Sequence, residues 1–479
     1  MNVVLLGSNT KEEIENNLRI VASAGALSRS EGTVMDVYES KNDYQKNLRL
    51  AKEVVGYGHR SISEHDYLVF ALEDVTPVIE QTIIEYRLTS FTIKSRRNVD
   101  FRNVGFYVPD FKTVKGDRLD SRELKLDYNN YMKSLFTKYG ELVDEGLPIE
   151  DCRYILPYSY HSNIIMGCDA NELFRITSDL LYGKMAKIDE AKELGAKLAN
   201  MMGEACPYLV SSLKKEEKKD YYNDQFTYLD KLVKQEDKLL TKPKLTDYLE
   251  RADDKVLCSI LMNRYQLSSE KASKVLDELV KEDKDIKKKM FTSLLHSKNQ
   301  RELEQVAYSF ELPISLAVLT HISRHRMQSL LVPDFVPLWN MKNYVIPNSI
   351  KDNHEEEYRD IFKKNNLKVE EYKDKGIRDE DLVYFYLSGN ACNITTTMNA
   401  RNFEWITRMR CCNKAQWEIR ELMTDLKDQV KEVNPLIGTM LGANCEVNNY
   451  CPEGKDSCKN RGVVVKQKNI KEKVYDRRI

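Results

Sequence analysis

The sequence lacks any apolar run that could form a membrane-spanning helix. The longest apolar stretch near its N-terminus is Val3 to Leu6, whereas a spanning helix needs about 20 consecutive apolar residues and a signal peptide also needs a longer apolar core. The formal net charge is −1, so the chain as a whole has no attraction to nucleic acid or anionic membranes. We therefore expect a cytoplasmic protein that binds neither membrane nor nucleic acid, with any polyanion site built from a local cluster of Arg or Lys.

Glycine-rich phosphate loops are also missing. The sequence contains neither G-x-G-x-x-G at the start of a helix nor G-x-x-x-x-G-K-[ST], the two motifs whose backbone N–H groups hold nucleotide phosphates. Phosphate binding would therefore depend on side chains.

Disulfides are not expected among the ten Cys residues, because thiols stay reduced in the cytoplasm. Cys445, Cys451 and Cys458 lie close together near the C-terminus. Their spacing is looser than the C-x2–4-C pairs of zinc sites. The spacing favours reduced thiols on a surface tail, with a metal site at these three residues as the alternative.

The length of 479 residues predicts two domains, and 42% hydrophobic with 31% charged residues is typical of a soluble globular protein. A charged, polar stretch interrupts the helical periodicity at 213–245. We interpret it as a linker between unit 1 (1–212) and unit 2 (246–445), with 446–479 as a Cys-containing basic tail. A surface helix inside one domain is the alternative for 213–245.

Two motifs occur twice, in the same order and at similar spacing. Residues 85–90 correspond to 324–329, each after an apolar helix-like stretch, and residues 166–174 correspond to 397–403. Two repeated motifs in register indicate a duplication. Alternating segments at 67–72 and 306–312 predict a strand before each apolar helix. The predicted fold class is α+β, with two tandem units that are mostly helical and contain a small antiparallel sheet each.

Arginine and serine residues at short spacing are the strongest chemical signal. Arg324, His325 and Arg326 follow one apolar helix, and Ser95 and Arg97 lie downstream of the other. The planar fork of Arg suits phosphate oxygens and pyrimidine carbonyls, and two Arg residues around a His give a dense positive field. The alternative is a solvated basic end that stabilises a helix dipole.

The motifs resemble those of the flavin-dependent thymidylate synthases. Residues 324–329 resemble the first half of the family signature R-H-R-x-x-S, and residues 58–65 resemble its G-H-x-S-x-x-E-H segment. Residues 399–401 match the family's N-A-R, and residues 415–420 match A-Q-W-E-I-R. The similarity covers most of 1–212 and 290–440.

The two copies depart from the family pattern in complementary ways. Copy one has Glu-Tyr-Arg at 85–87 instead of Arg-His-Arg, but it keeps the downstream Ser-x-Arg, which copy two has lost at 333–336. Copy one also keeps a family Arg at 153 where copy two has Val383, and it has Leu180 where copy two has Arg410. The resemblance therefore implies composite active sites to which each copy contributes what the other has lost. Random decay into a pseudoenzyme is the alternative.

The resemblance also implies the roles of individual residues. Arg410 and Arg324 are the expected catalytic residues, with Arg410 polarising the pyrimidine carbonyl; His321 replaces a family Gln and Lys414 a family His. The expected substrate-binding residues are Ser90, Ser95, Arg97, Arg153, His321, Arg324 and Arg410. The expected cofactor-binding residues are His59, Ser61, Glu64, Arg324, His325, Arg326, Asn399, Arg401 and Lys414.

The reaction implied by the resemblance is reductive methylation of dUMP to dTMP. FAD reduced by NADPH supplies the hydride, and methylenetetrahydrofolate supplies the carbon. A homodimer of the duplicated chain would recreate the four folding units of the family's homotetramers. The alternatives are a flavin enzyme that acts on another pyrimidine nucleotide, and a nucleotide-binding or assembly homologue that has lost catalysis.

Overall fold

The computed structural model describes residues 1–119, 121–216, 228–229, 232–233, 239–336, 341–454 and 457–458. The strands of the first unit are β1 (Asn2–Gly7), β2 (Tyr67–Val75), β3 (Ser90–Ile93) and β4 (Ser162–Asp169). Its α-helices are α1 (Lys11–Leu27), α2 (Val34–Ser40), α3 (Tyr44–Gly56), α4 (Pro77–Ile84), α5 (Arg122–Asp144), α6 (Ile149–Cys152), α7 (Ala170–Tyr182), α8 (Asp189–Ala205) and α9 (Val210–Glu216).

The second unit repeats this order of elements. Its strands are β5 (Lys244–Tyr248), β6 (Ala307–Ser315), β7 (Ser329–Leu331) and β8 (Ala391–Asn399). Its α-helices are α10 (Ala252–Tyr265), α11 (Ser269–Glu282), α12 (Ile286–Leu295), α13 (Leu316–Ser323), α14 (Asn348–Lys351), α15 (Glu355–Asp374), α16 (Asp379–Leu382), α17 (Ala400–Arg410), α18 (Trp417–Val433), α19 (Pro435–Gly438) and α20 (Asn444–Val447). The 3-10 helices are Arg60–His65, Arg153–Ile155, Lys184–Lys187, Arg301–Gln305 and Val383–Phe385.

Each unit contains a four-stranded antiparallel sheet. The strand order β1-β2-β4-β3 in the first unit recurs as β5-β6-β8-β7 in the second. The short edge strands also pair in equivalent register, with Ser90 opposite Gly167 and Ser329 opposite Thr397. The predicted α+β fold with two tandem, mostly helical units is therefore confirmed.

The apolar helices α4 and α13 lie at the centre of the molecule. Every residue of α4 is buried, and so is every residue of α13 except His321. A helix that is apolar on nearly all sides is expected to be enclosed by the core. The two helices also contact each other across the boundary between the units, which places the segments that follow them side by side.

Reciprocal hydrogen bonds join the two units. The Tyr154 hydroxyl donates to the Glu418 carboxylate at 2.6 Å, and the Tyr384 hydroxyl donates to the Glu190 carboxylate at 3.1 Å. The Tyr158 backbone N–H donates to the carbonyl of Tyr386 at 2.7 Å. Such reciprocal contacts are expected where two related surfaces pack against each other. The pairs fix how the residues of one unit approach those of the other.

The ends of the interpreted linker carry secondary structure. Helix α9 extends to Glu216, and β5 begins at Lys244. Residues 217–227 and 234–238 of the linker, and 459–479 of the tail, lie outside the described residues. The domain boundaries stay a prediction. Among the helices in the described part of the chain, none is long and apolar enough to cross a membrane.

Candidate nucleotide and cofactor site

Two helix ends bring Arg324, His325 and Arg410 together in the second unit. Arg324 follows the last residue of α13, and Arg410 is the last residue of α17. Cations are favoured at helix C-termini, which explains the local placement. The Arg410 Nε–H donates to His325 Nε2 at 3.0 Å, so His325 carries its own proton on Nδ1. Burial, together with Arg410 and Arg324, lowers the pKa of His325 to about 3.

The loop after β3 extends from the first unit to the second. Arg97 donates to the backbone carbonyl of Lys414 at 3.2 Å and forms an ion pair with Glu150 at 2.6 Å. The Ser95 hydroxyl accepts from the Arg97 backbone N–H at 3.3 Å and from the Asn98 amide at 3.1 Å. The bond from Arg97 joins the predicted Ser-x-Arg motif to the residue just before the A-Q-W-E-I-R segment, whereas the Ser95 bonds lie within the loop.

Arg153 is a buried guanidinium with an unused donor. The residue is 2% exposed, and its Nε–H donates to the Glu150 carbonyl at 3.1 Å. Its Nη2 has no hydrogen-bond partner among the described residues. Burial lowers the pKa of Arg153 to about 10. Because a buried donor is costly when it is unsatisfied, this atom fits an anionic or carbonyl ligand.

His321 lies near four arginines. Its pKa is lowered well below the usual value, by burial first and then by the positive charges of Arg153, Arg410, Arg97 and Arg324. Burial and two of these neighbours also lower the pKa of Arg410 to about 10. We call these four arginines and His321 the arginine cluster. Two of the arginines come from each unit, and their like charges give a field that attracts a polyanion.

Three further predicted contacts, Ser90, Arg326 and Lys414, lie on segments that adjoin residues of this cluster. Ser90 is exposed at the start of β3. Arg326 Nη1 donates to the carbonyls of Thr89 at 2.6 Å and Arg87 at 3.2 Å, so it ties the second unit to the segment before Ser90. Lys414 forms an ion pair with Glu453 through its ammonium group.

His59 and Ser61 line a cavity of 880 Å³ on the first unit. Gly58, with φ of 95°, adopts the left-handed conformation that turns the chain out of α3 into this loop. The other wall is formed by residues 85–88 and α7. Glu64 does not line the cavity; it accepts a hydrogen bond at 3.2 Å from Asn171, which does.

Asn399 and Arg401 lie at the start of α17, on the second unit. The Asn399 side chain accepts from the Asn402 backbone N–H at 2.9 Å as the N-cap, and Arg401 forms an ion pair with Glu304. Within the described residues, no hydrogen bond or ion pair joins them to His59, Ser61 or Glu64. The predicted cofactor residues are thus divided between the two units.

The equivalent site on the other side of the chain is closed. Glu85 follows α4 at the position that Arg324 has after α13. Val383 begins a 3-10 helix at the position that Arg153 has in the first unit. Lys184 forms an ion pair at 2.9 Å with Asp334, and the cavity beside this pair measures 60 Å³, room for about two water molecules. We call it the mate site.

Two acidic residues near the arginine cluster were not singled out from the sequence. Glu150, on the four-residue helix α6, gives no sequence signal, although its carboxylate pairs with Arg97. Glu80 is the only acidic residue in the apolar stretch of α4. A lone carboxylate in such a stretch requires a buried partner, so the sequence alone could have indicated that Glu80 has one.

The C-terminal cysteines do not assemble a metal site in the described part of the chain. Cys445, Cys451 and Cys458 are partly buried and form no disulfide among the described residues. No group of three or more His, Cys, Asp or Glu side chains among the described residues is arranged to hold a metal ion.

Comparison with known proteins identifies the family. The family model "Thymidylate synthase complementing protein" matches residues 11–208 and 244–436. A flavin-dependent thymidylate synthase of Clostridium tetani is 32% identical over 209 residues, covering 38% of this chain and 82% of that protein. One of Pyrococcus furiosus is 33% identical over 138 residues, covering 28% of this chain and 53% of that protein. The chain thus spans only about half the length of some of its curated relatives.

A solved structure is similar to one part of the chain. The UMP/dUMP methylase PolB from Streptomyces cacaoi, bound with 5-Br dUMP, is 20% identical with a TM-score of 0.37, covering 45% of this chain and 94% of that one. The family model, in contrast, matches both units separately and in order. This chain therefore belongs to the thymidylate synthase complementing protein family, the family of the flavin-dependent thymidylate synthases, as a tandem duplication.

Proposed function

We propose that the chain is a flavin-dependent thymidylate synthase, a methyltransferase that converts dUMP to dTMP in composite active sites. Methylenetetrahydrofolate would supply the carbon, and FAD reduced by NADPH would supply the hydride. The single observation that carries the proposal is the arginine cluster, in which Arg97 and Arg153 of one unit and Arg324 and Arg410 of the other all lie close enough to His321 to lower its pKa by their charge.

The cluster suits a nucleotide monophosphate. Arg97, Arg153 and the Ser95 hydroxyl offer donors to the phosphate, and the free Nη2 of Arg153 is one of them. Arg410 and Arg324 would polarise the pyrimidine carbonyl and stabilise negative charge that develops on the ring. Ser90 would contact the nucleotide from the start of β3. His321 stays neutral at physiological pH, so it would hydrogen-bond to the base instead of adding charge.

FAD is the cofactor that we assign, and it supplies the redox chemistry when bound. Arg324, His325 and Arg326 would hold its phosphates, with Asn399, Arg401 and Lys414 on the second unit. The loop carrying His59, Ser61 and Glu64 on the first unit would form the other wall. The 880 Å³ cavity that His59, Ser61 and Arg87 line on the first unit supports this assignment.

We propose a homodimer, because the cofactor residues are divided between the units. The loop with His59 and Ser61 and the start of α17 with Asn399 and Arg401 lie on different units. In a dimer, the first-unit loop of one chain would lie against α17 in the second unit of the other chain. We also propose that the protein works in the cytoplasm, without nucleic acid or membrane partners, since its net charge is −1.

The test is the visible absorption spectrum of the purified protein after incubation with FAD and desalting. We expect a retained flavin spectrum that shifts on addition of dUMP, followed by methyl transfer from methylenetetrahydrofolate with NADPH. A colourless protein that still binds nucleotide would favour the homologue that has lost catalysis.

A second candidate is a flavin enzyme for another pyrimidine nucleotide. The observation that favours it is the neutral His321, which stands among the arginines where the family has Gln. Lys414 in place of the family His, paired with Glu453, is a second departure. A spectrum that shifts with UMP and not with dUMP would select this candidate.

A further inference from the structure

A buried carboxylate lies within the apolar helix α4, close to the arginine cluster. Glu80 is completely buried. Its Oε1 accepts a hydrogen bond at 2.8 Å from Arg96 Nη2, and its Oε2 has no partner among the described residues. A buried ion pair is a weak source of stability, because removing both charges from water offsets most of their attraction. Stability alone therefore does not explain why a charged pair occupies this buried position.

Arg96 connects three parts of the site without belonging to the arginine cluster. It is 9% exposed and lies between Ser95 and Arg97 in the chain. The Nη2 that binds Glu80 also donates to the Thr320 hydroxyl at 3.3 Å, and Thr320 precedes His321 on α13. The guanidinium carbon is 5.4 Å from the ring centroid of Tyr160. One side chain thus fastens the loop after β3 to α4 and to α13.

The mate site shows what the fold itself requires at these positions. When the two copies are aligned on Glu85 and Arg324, Leu319 occupies the position of Glu80. In the same alignment, Phe335 occupies the position of Arg96. Leu319 is fully buried. The same architecture therefore tolerates an apolar pair where no arginine cluster is present. The charged pair occurs only beside the cluster.

We propose that Glu80 and Arg96 are positioning residues that hold the Ser95–Arg97 loop in its anion-binding geometry. Because Arg96 commits its Nη2 to Glu80 and Thr320 and Glu80 balances its charge, we assign it a positioning role and not a contact with the nucleotide. The pair fixes the backbone from which the Ser95 hydroxyl and the Arg97 guanidinium reach the site. The proposal rests on the proposed function only for the identity of the ligand, dUMP.

The experiment transplants the apolar pair of the mate site. The double variant Glu80→Leu with Arg96→Phe removes one charge of each sign, so the net charge of the site is unchanged. We expect its melting temperature to stay close to that of the wild type. We expect hydrogen–deuterium exchange of residues 94–99 to become faster and the dissociation constant for dUMP to rise at least about tenfold. The control, Glu355→Gln with Arg359→Gln, removes an exposed ion pair on α15 and should change neither quantity.

The single variant Glu80→Gln keeps the volume of the side chain and tests the same point if the double variant fails to fold. It should also speed hydrogen–deuterium exchange of residues 94–99 and weaken dUMP binding. Glu80→Asp should restore part of the slow exchange and part of the affinity for dUMP. Unchanged exchange and unchanged affinity in the folded variants would overturn the proposal. If the wild type binds no dUMP while exchange of 94–99 still accelerates in the variants, the positioning role stands and the proposed function fails.

Discussion

Four guanidinium groups and one imidazole share a small region at the contact between the two units. Repulsion among Arg97, Arg324 and Arg410 is a cost to the folded state, and within the described part of the chain only Arg97 of these three forms an ion pair with a carboxylate, that of Glu150. A ligand with two negative charges would offset this repulsion. Strained electrostatics of this kind are concentrated at functional sites.

Arg410 is the residue with the sharpest expected effect on turnover. Arg410→Ala removes a donor from the position where charge would develop on the pyrimidine ring, so kcat should fall by about 100-fold or more. The flavin spectrum and the melting temperature should remain close to wild type. Arg359→Ala, on the exposed face of α15, is the control. Turnover that survives Arg410→Ala undiminished would rule out the composite site.

His325 should couple the stability of the site to acid pH. Its folded pKa of about 3 lies below the usual value of 6.5, so the unfolded chain binds more protons between these values. The stability that it contributes is fully present above pH 6.5 and is lost as the pH falls, by about 2 kcal/mol at pH 5.

Denaturant unfolding of the wild type and of His325→Gln at pH 7.5 and pH 5, values chosen on either side of about 6.5, measures this loss. The wild type should lose more stability than the variant on acidification. His296→Gln, at an exposed position after α12, is the control. Equal losses in wild type and His325→Gln would show that His325 titrates normally.

At the scale of elements, the order of strands, apolar helices and motifs was accessible from the sequence because it depends on local periodicity. The contacts that build the site were not. The partner of Glu80 lies on another element, and the Lys414 carbonyl that accepts from Arg97 is separated from it by 317 positions. The resemblance indicated which residues converge, but the hydrogen bonds that hold Arg97 in place come only from the packing of the two units.

The junction between α8, the start of α4 and the second unit contains a titrating carboxylate. Glu190 accepts hydrogen bonds from the Thr76 backbone N–H at 2.9 Å, the Thr76 hydroxyl at 2.6 Å and Tyr384. Burial raises its pKa from 4.5 to about 7. Its contribution to stability is therefore fully present below pH 4.5 and is lost as the pH rises through 7, by about 3 kcal/mol in total.

Glu190→Gln should abolish this dependence. The difference in unfolding free energy between wild type and variant should move in favour of the variant as the pH rises from about 5 to about 8. Glu204→Gln, at an exposed position on the same helix, should leave the dependence intact. A pH-independent difference would show that Glu190 keeps an ordinary pKa in the folded protein.

At the scale of the whole molecule, duplication has made the two sides of one chain unequal. One side assembles the arginine cluster. On the other side, Glu85 and Val383 stand at the positions of Arg324 and Arg153, and Glu85 and Asp334 line the 60 Å³ cavity. A single-domain ancestor in a symmetric assembly would have had identical sites. Once both copies lay in one chain, each could lose the residues that served only the other site.

This asymmetry predicts one nucleotide per chain. Isothermal titration of the FAD-loaded protein with dUMP should give a stoichiometry close to one nucleotide per chain. Sedimentation should give a dimer, so each dimer would carry two sites. The reason is that the mate site has Glu85, Asp334 and Val383 where the other site has Arg324, Ser95 and Arg153, so dUMP would meet carboxylates and would gain no arginine there. Arg153→Met should remove the binding entirely, whereas Lys184→Met, at the mate site, should leave the stoichiometry unchanged. Two nucleotides per chain would contradict the complementary loss of residues.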